Sequence, residues 1–173
     1  LPARSIEAEL IPCCRRYGLD IVVYNPLAGG IFSGKYQASA AVPSEGRYSD
    51  KNTSGAIYRK RYLNQTVLDA LGIVQPVAEA HQLSLVEVAF RWLVHHSQLK
   101  LGEHGNDGIL IGVSSFGQLQ SNLSEVEKGP LPDEVLQALD EAWLSVKGSA
   151  ANYWHLDLVY TYDTQEALFG RKQ

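Results

Sequence analysis

Apolar positions along the chain follow two periods. Ile6, Leu10, Cys14 and Tyr17 recur at helical spacing, and Gly18 is placed to stop that helix. Pro12 lies inside the pattern, where it either bends the helix or displaces its start. Leu19 to Tyr24 (LDIVVY) is short, apolar and β-branched, as expected of a strand buried on both faces. From Ala28 to Arg61 the periodicity fades into Gly, Ser, Ala and polar residues. A stretch that long without pattern is more often functional or disordered than a plain connection.

Helical spacing returns at Tyr62. Val67, Leu68, Leu71, Val74 and Ala78 mark one helix, which Pro76 is expected to kink. Ser84 opens another, with Glu87 completing a capping box and Leu83 with Val88 a hydrophobic staple. Its apolar face runs through Leu85, Val88, Ala89, Trp92 and Leu93. Gly108 to Val113 (GILIGV) is the second buried strand. Ser115 and Gln118 form a second capping box, for a helix ending near Gly129. Pro132, at a first-turn position, begins the last helix, with Val135, Leu139, Trp143 and Val146 on its buried side. The tail from Asn152 is left unassigned.

Two apolar strands joined by helices imply a parallel α/β arrangement. Two strands alone make a poor sheet, because both outer edges stay unpaired. The pattern resembles the closing quarter of a barrel more than a finished domain. It divides into a helix and strand (1–27), a loop (28–61), helices and a strand (62–148) and a tail (149–173).

Composition narrows the function. Of 173 residues, 45% are apolar and 20% charged, ordinary for a globular protein. A net charge of −4 with scattered Lys and Arg offers no basic stripe for nucleic acid. No apolar run reaches the length of a membrane span. Cys13 and Cys14 are adjacent, poorly placed to bridge each other, and fit a reducing, cytoplasmic setting. The chain contains no Met, as expected if it was trimmed or cut from something longer.

Two segments carry candidate chemistry. Tyr24-Asn25-Pro26-Leu27-Ala28-Gly29-Gly30-Ile31-Phe32-Ser33-Gly34-Lys35 leaves the C-terminal end of a strand, where α/β folds place ligands. Its glycines let backbone amides approach a phosphate, and Lys35 adds a positive charge; read alone, glycine spacing favours a Gly-rich turn with a solvated Lys. In Gly112 to Asn122, a strand delivers Ser114 and Ser115 to the first turn of a helix, whose amides and dipole favour an anion. Gln118 and Asn122, four apart, share a face. Read alone, this is an ordinary capping box. Phosphate grips at both places would together hold a dinucleotide.

YNPLAGGIFSGKY, RWLVHHSQL, ILIGVSSFGQLQSNL, EKGPLP and NYW, in that order, resemble the aflatoxin-aldehyde reductase branch of the aldo-keto reductases from about Arg4 to Trp154. The resemblance implies a (β/α)8 barrel with NADPH extended across its C-terminal mouth. It implies that Tyr24 stacks on the nicotinamide, that Asn25, Pro26, Leu27, Gly29, Gly30, Ser33 and Lys35 line the cofactor, and that Arg47 clamps the pyrophosphate. Ser114, Ser115, Gln118 and Asn122 would hold the adenosine 2′-phosphate, and Tyr58 and Arg61 would face the substrate. The family's catalytic Asp, Tyr, Lys and His lie upstream of everything present, so no catalytic residue is assigned here and Leu1 would fall just before the barrel's sixth helix. His155 stands where the family often has a substrate-facing arginine.

Other conspicuous residues read as structural. His95 and His96 diverge along a helix and form a surface or partly buried pair rather than a metal site, and His104 lies in a polar turn. Cys13 and Cys14 read as packing residues, Trp92 and Trp143 as core, and Glu125 with Glu127 as a solvated helix face. Three functions stay open: the NADPH-binding portion of an aldehyde or ketone reductase, inactive alone; a non-catalytic NADPH-binding or protein-docking module; and a remnant with neither property. Partners expected are a nicotinamide dinucleotide, a small carbonyl substrate for the parent enzyme, and either another copy or a complementary barrel portion.

Overall fold

The computed structural model describes residues 3–36, 43–154 and 161–170. A 3-10 turn at Ser5–Glu7 precedes α1 (Leu10–Arg16). Pro12 has displaced the helix start: it sits in the first turn, where its missing N–H breaks no helical bond. The expected stripe is not the buried one, because Ile11 is buried while Tyr17 is exposed; Cys13, expected to pack, is exposed, and Cys14 is partly buried. Both cysteines are free thiols.

β1 (Val22–Tyr24) and β2 (Gly108–Leu110) pair in parallel, with Val22, Val23 and Tyr24 opposite Gly108, Ile109 and Leu110. Both are shorter than their apolar runs, and neither is buried on both faces. Val23 faces α4 (Leu85–His95) across a cavity of about 140 Å³. Val22, Tyr24 and Leu110 share the other face and are half or more exposed. A two-stranded sheet has no third strand to curl over that face, so an apolar run alone does not bury it.

The stretch expected to be one long loop is more structured. A 3-10 segment occupies Ala28–Ser33, and α2 spans Gly55–Tyr62. α2 (GAIYRKRY) carries almost no apolar stripe, which hid it from a periodicity reading. Gly55 permits its start: a Cβ there would lie 2.1 Å from the Ser49 carbonyl oxygen.

α3 (Gln65–Ala80) continues through Pro76, and Asn64 caps it by accepting from the Val67 amide at 3.1 Å. Its Val67, Ala70, Leu71, Val74 and Ala78 pack against α6 (Asp133–Val146), which offers Val135, Ala138, Leu139, Ala142 and Val146. Each buried Val or Leu among them contributes roughly 1.5–3 kcal/mol by leaving water, and each Ala less. Pro132 is the residue before α6 rather than its first helical position. α6 is not the last helix either: α7 (Thr164–Phe169) lies in the tail, capped by Asp163.

Ser84 caps α4 as expected, accepting from the Glu87 amide at 3.1 Å. The capping box stays half-made, because Glu87 turns to Arg91 (2.7 Å) and Lys128 (3.0 Å). Lys128 also pairs with Glu125 at 2.6 Å, so Glu125 is part of a charge cluster and not a solvated face. Phe90, fully buried, lies off the expected α4 stripe because α5 (Phe116–Val126) packs on a second side of the helix. His95 Nε2 lies 2.6 Å from the Lys128 carbonyl, and His96 Nε2 accepts from the Leu131 amide at 2.9 Å, so both hold the α5–α6 connection. Trp92 and Trp143 are partly buried, with the Arg4 guanidinium 4.9 Å and 6.0 Å from their rings.

At the N-terminal end of the strands, Asp107 is buried and accepts four hydrogen bonds. Arg15 supplies two from its terminal nitrogens, Nη1 at 2.9 Å and Nη2 closer still, and the Ile21 and Lys100 amides one each at 2.7 Å. The Arg15 hydrogen bonds, foremost, hold the carboxyl down at about 2, against the opposing effect of burial. The folded chain therefore binds this proton less readily than the unfolded chain. The stabilisation is complete above the ordinary carboxylate range and is lost as pH falls through about 2. Asp107→Ala strands a guanidinium and two amides, and chemical denaturation is expected to show a loss of roughly 3 kcal/mol or more; a loss below about 1 kcal/mol, the scale of a surface pair, would contradict this role.

Candidate functional site

Both candidate segments leave the same edge of the sheet. Tyr24 and Leu110 are register partners and end their strands together, so Asn25 and Ile111 continue side by side at the C-terminal mouth. The chain reverses at once after β1. Asn25 (φ 57°), Ala28 (φ 48°), Gly29 (φ 71°) and Gly30 (φ 102°) have left-handed backbone, which is costly for Asn and Ala and cheap for glycine.

Three side chains converge over this reversal. Asn25 Nδ2 donates to the Tyr58 hydroxyl at 3.2 Å, while Arg47 Nη1 donates to Asn25 Oδ1 at 3.2 Å and to the Tyr58 hydroxyl at 3.3 Å. The Arg47 guanidinium lies 5.1 Å from the centre of the Tyr58 ring, a cation–π approach. Residues expected to serve cofactor (Asn25, Arg47) and substrate (Tyr58) thus form one cluster. Arg47 remains exposed, as do Ser33 and Lys35; Lys35 makes no ion pair among the described residues. Pro26, Leu27 and Gly30 are partly buried in the turn beneath.

Tyr48 fixes the loop and was not anticipated. Its ring is fully buried among tyrosines 36 and 58, and its hydroxyl donates to the Ala28 carbonyl at 2.6 Å. Burial pushes its phenol far up, so it stays a proton donor. Arg59 donates to the Tyr48 carbonyl at 2.6 Å and pairs with Asp50 at 2.5 Å. A large aromatic in an otherwise polar run, beside Gly46-Arg47, was the available signal.

Tyr24 is half exposed at the strand end. Burial first, then Tyr62 and Tyr58, raise its phenol, with Arg61 opposing. Arg61 itself points to the tail, donating to the Asn152 and Trp154 carbonyls.

At the second segment, Ser115 caps α5, accepting from the Gln118 amide at 3.3 Å. Gln118 Oε1 accepts from both the Ser114 amide and the Ser114 hydroxyl, each at 2.9 Å. Two donors converging on one exposed oxygen form a cradle of the kind an anion oxygen occupies, with the Gln118 amide oxygen standing in for it. Asn122 does not share this exposed face; it is the buried residue of α5. His155 lies outside the described residues. Among the described residues, no group of His, Cys, Asp and Glu is arranged to hold a metal, and no helix is long and apolar enough to cross a membrane.

The chain belongs to the aldo/keto reductase family, whose model matches residues 2–144. It is 43% identical over 151 residues to an aldo-keto reductase of Pseudocercospora fijiensis, covering 87% of this chain and 50% of that protein. It is 38% identical over 157 residues to aflatoxin B1 aldehyde reductase member 2 of Homo sapiens, covering 87% of this chain and 43% of the relative. The chain spans about half the length of the curated relatives it matches. A glycerol dehydrogenase of Gluconobacter oxydans shares the fold, with TM-score 0.59 and 20% identity over 92% of this chain and 43% of that one. The two parallel strands and their helices are part of an aldo-keto reductase barrel.

Gly29 sits at the centre of the first cluster. A Cβ there would lie 2.7 Å and 2.9 Å from ring carbons of Tyr58 and 3.0 Å from the Tyr48 hydroxyl, at a φ that already disfavours a side chain. Gly29→Ala is expected to destabilise the chain by about 1–3 kcal/mol. Part of that cost should disappear in a Tyr58→Ala background, where the clash is gone. Strict additivity of the two substitutions in a double-mutant cycle would show that Gly29 does not support Tyr58.

Proposed function

We propose that this chain is the NADPH-binding C-terminal portion of an aldo-keto reductase that reduces aldehydes or ketones to alcohols. The observation that carries this reading is the emergence of two anion-favouring segments from register-paired strand ends. On one side Arg47, oriented by Asn25 and Tyr58, meets the pyrophosphate above the Gly29-Gly30 reversal, with Lys35 free to approach it. On the other, Ser114, Ser115 and Gln118 take the 2′-phosphate, the Gln118 oxygen yielding its place to a phosphate oxygen. Tyr24 offers a half-exposed ring for the nicotinamide. NADPH, when bound, supplies the hydride for a carbonyl carbon.

These residues bind and orient; none is placed as a general acid. The Asp, Tyr, Lys and His set that the family resemblance puts on earlier strands has no counterpart among these residues, and the chain alone reduces no aldehyde. The exposed face of Val22, Tyr24 and Leu110, together with outer strand edges that pair with no other strand among the described residues, favours pairing with a complementary barrel portion. The free thiols suit a reducing, cytoplasmic setting.

Two variants separate the grips. Arg47→Gln is expected to weaken NADPH and NADH alike by about tenfold, the scale of one charge-assisted contact. Ser114→Ala is expected to weaken NADPH severalfold and leave NADH unchanged, as read by nucleotide fluorescence titration. Equal loss for both nucleotides in Ser114→Ala would remove the 2′-phosphate assignment.

A further inference from the structure

We infer that Arg61 is a latch for the chain's own segment Asn152–Trp154, and thereby positions the Tyr153–Trp154 pair beside the mouth of the site. Arg61 Nη2 donates to the Asn152 carbonyl at 2.6 Å and Nη1 to the Trp154 carbonyl at 3.2 Å, contacts spanning 91 and 93 residues of sequence. The planar fork of a guanidinium suits two acceptors presented side by side, here by alternate backbone carbonyls. Its other side lies over the Tyr62 ring, 5.7 Å from the ring centre. Residues 150–154 belong to no helix or strand, and among the described residues no backbone–backbone hydrogen bond reaches them. Among the described residues, the two Arg61 bonds are the polar attachments that hold them.

What the latch holds is an aromatic rim. Tyr153 and Trp154 meet edge to face, ring centres 4.9 Å apart, and are 43% and 38% exposed. Arg61 follows Tyr58 by one turn on α2, and the Tyr62 ring beneath its guanidinium lies 5.9 Å from the Tyr58 ring, so the held segment attaches beside the Asn25–Arg47–Tyr58 cluster. This rests on the proposed function and sharpens it. The resemblance implies that Arg61 contacts substrate; here its fork is spent on backbone, and substrate selection passes to the aromatic pair that it places. A rim of that kind favours carbonyl compounds with a flat or apolar body over those recognised by a free acid group.

The test reads Trp154 in the cofactor-free chain, its signal isolated as the difference between the chain and Trp154→Phe. In Arg61→Gln, with far-UV circular dichroism unchanged, acrylamide quenching of Trp154 is expected to rise about twofold as a partly covered ring becomes solvated. Arg61→Lys keeps the charge without the fork and is expected to raise quenching as well. It carries the test if Arg61→Gln fails to fold. Unchanged quenching in the folded variants would overturn the latch. So would a saturable rise on adding succinate to the unmodified chain, because the fork would then prefer a carboxylate to its own tail. Failure of the unmodified chain to bind NADPH would defeat the proposed function and leave this result standing.

Discussion

Asp107 joins three parts of the chain through one buried carboxylate: Arg15 at the end of α1, the Ile21 amide entering β1 and the Lys100 amide before β2. β1 starts one residue after Ile21 and β2 one residue after Asp107, so the contact fixes where the strands begin to run together. The Gly108 amide then donates to the Ile21 carbonyl at 2.9 Å, extending the same attachment into the ladder. A one-residue slip of either strand would turn Tyr24 or Leu110 to the helical side and carry Asn25 or Ser114 out of register with its partner at the mouth. The position of the candidate site therefore depends on a charge interaction at the opposite end of the sheet.

That division of labour suits a barrel. Conserving energy at the N-terminal end of the strands leaves the C-terminal end open to exposed and strained groups. There the backbone is left-handed at Asn25 and Ala28, and Arg47, Lys35, Ser114 and Gln118 face solvent. Buried tyrosine supports the exposed machinery from below, Tyr48 through its bond to Ala28 and its packing against Tyr58. The loop is anchored in the core by Ala28, Ile31, Phe32 and Tyr48, while the residues it turns toward the mouth, Ser33, Lys35 and Arg47, stay exposed.

Helices whose signals are local were legible in the sequence. Ser84 and Ser115 each cap within three residues of the amide they accept from, and the apolar positions of α3 and α6 keep helical spacing. What escaped depends on neighbours distant in sequence. Glu87 leaves its capping box for Lys128, Asp107 finds Arg15, and Arg61 finds the tail. α2 escaped because charged and aromatic residues cover it without a stripe. The expectation that LDIVVY and GILIGV are buried on both faces failed because burial requires further strands, which an apolar run signals but does not supply. Within the site, the family motifs named Asn25, Arg47 and Tyr58 separately; their meeting in one cluster, and the inward turn of Asn122 away from Gln118, came from the fold.

The central claim is that the two grips assemble on this chain without further strands. Titrating the purified 173-residue chain with NADPH and with NADH, followed by nucleotide fluorescence, tests it directly. The account predicts saturable binding of NADPH in roughly the micromolar range, tighter than NADH by about tenfold or more, as one extra phosphate contact set requires. Absence of binding for both nucleotides up to about millimolar, equivalent to less than roughly 4 kcal/mol of binding free energy, would contradict it.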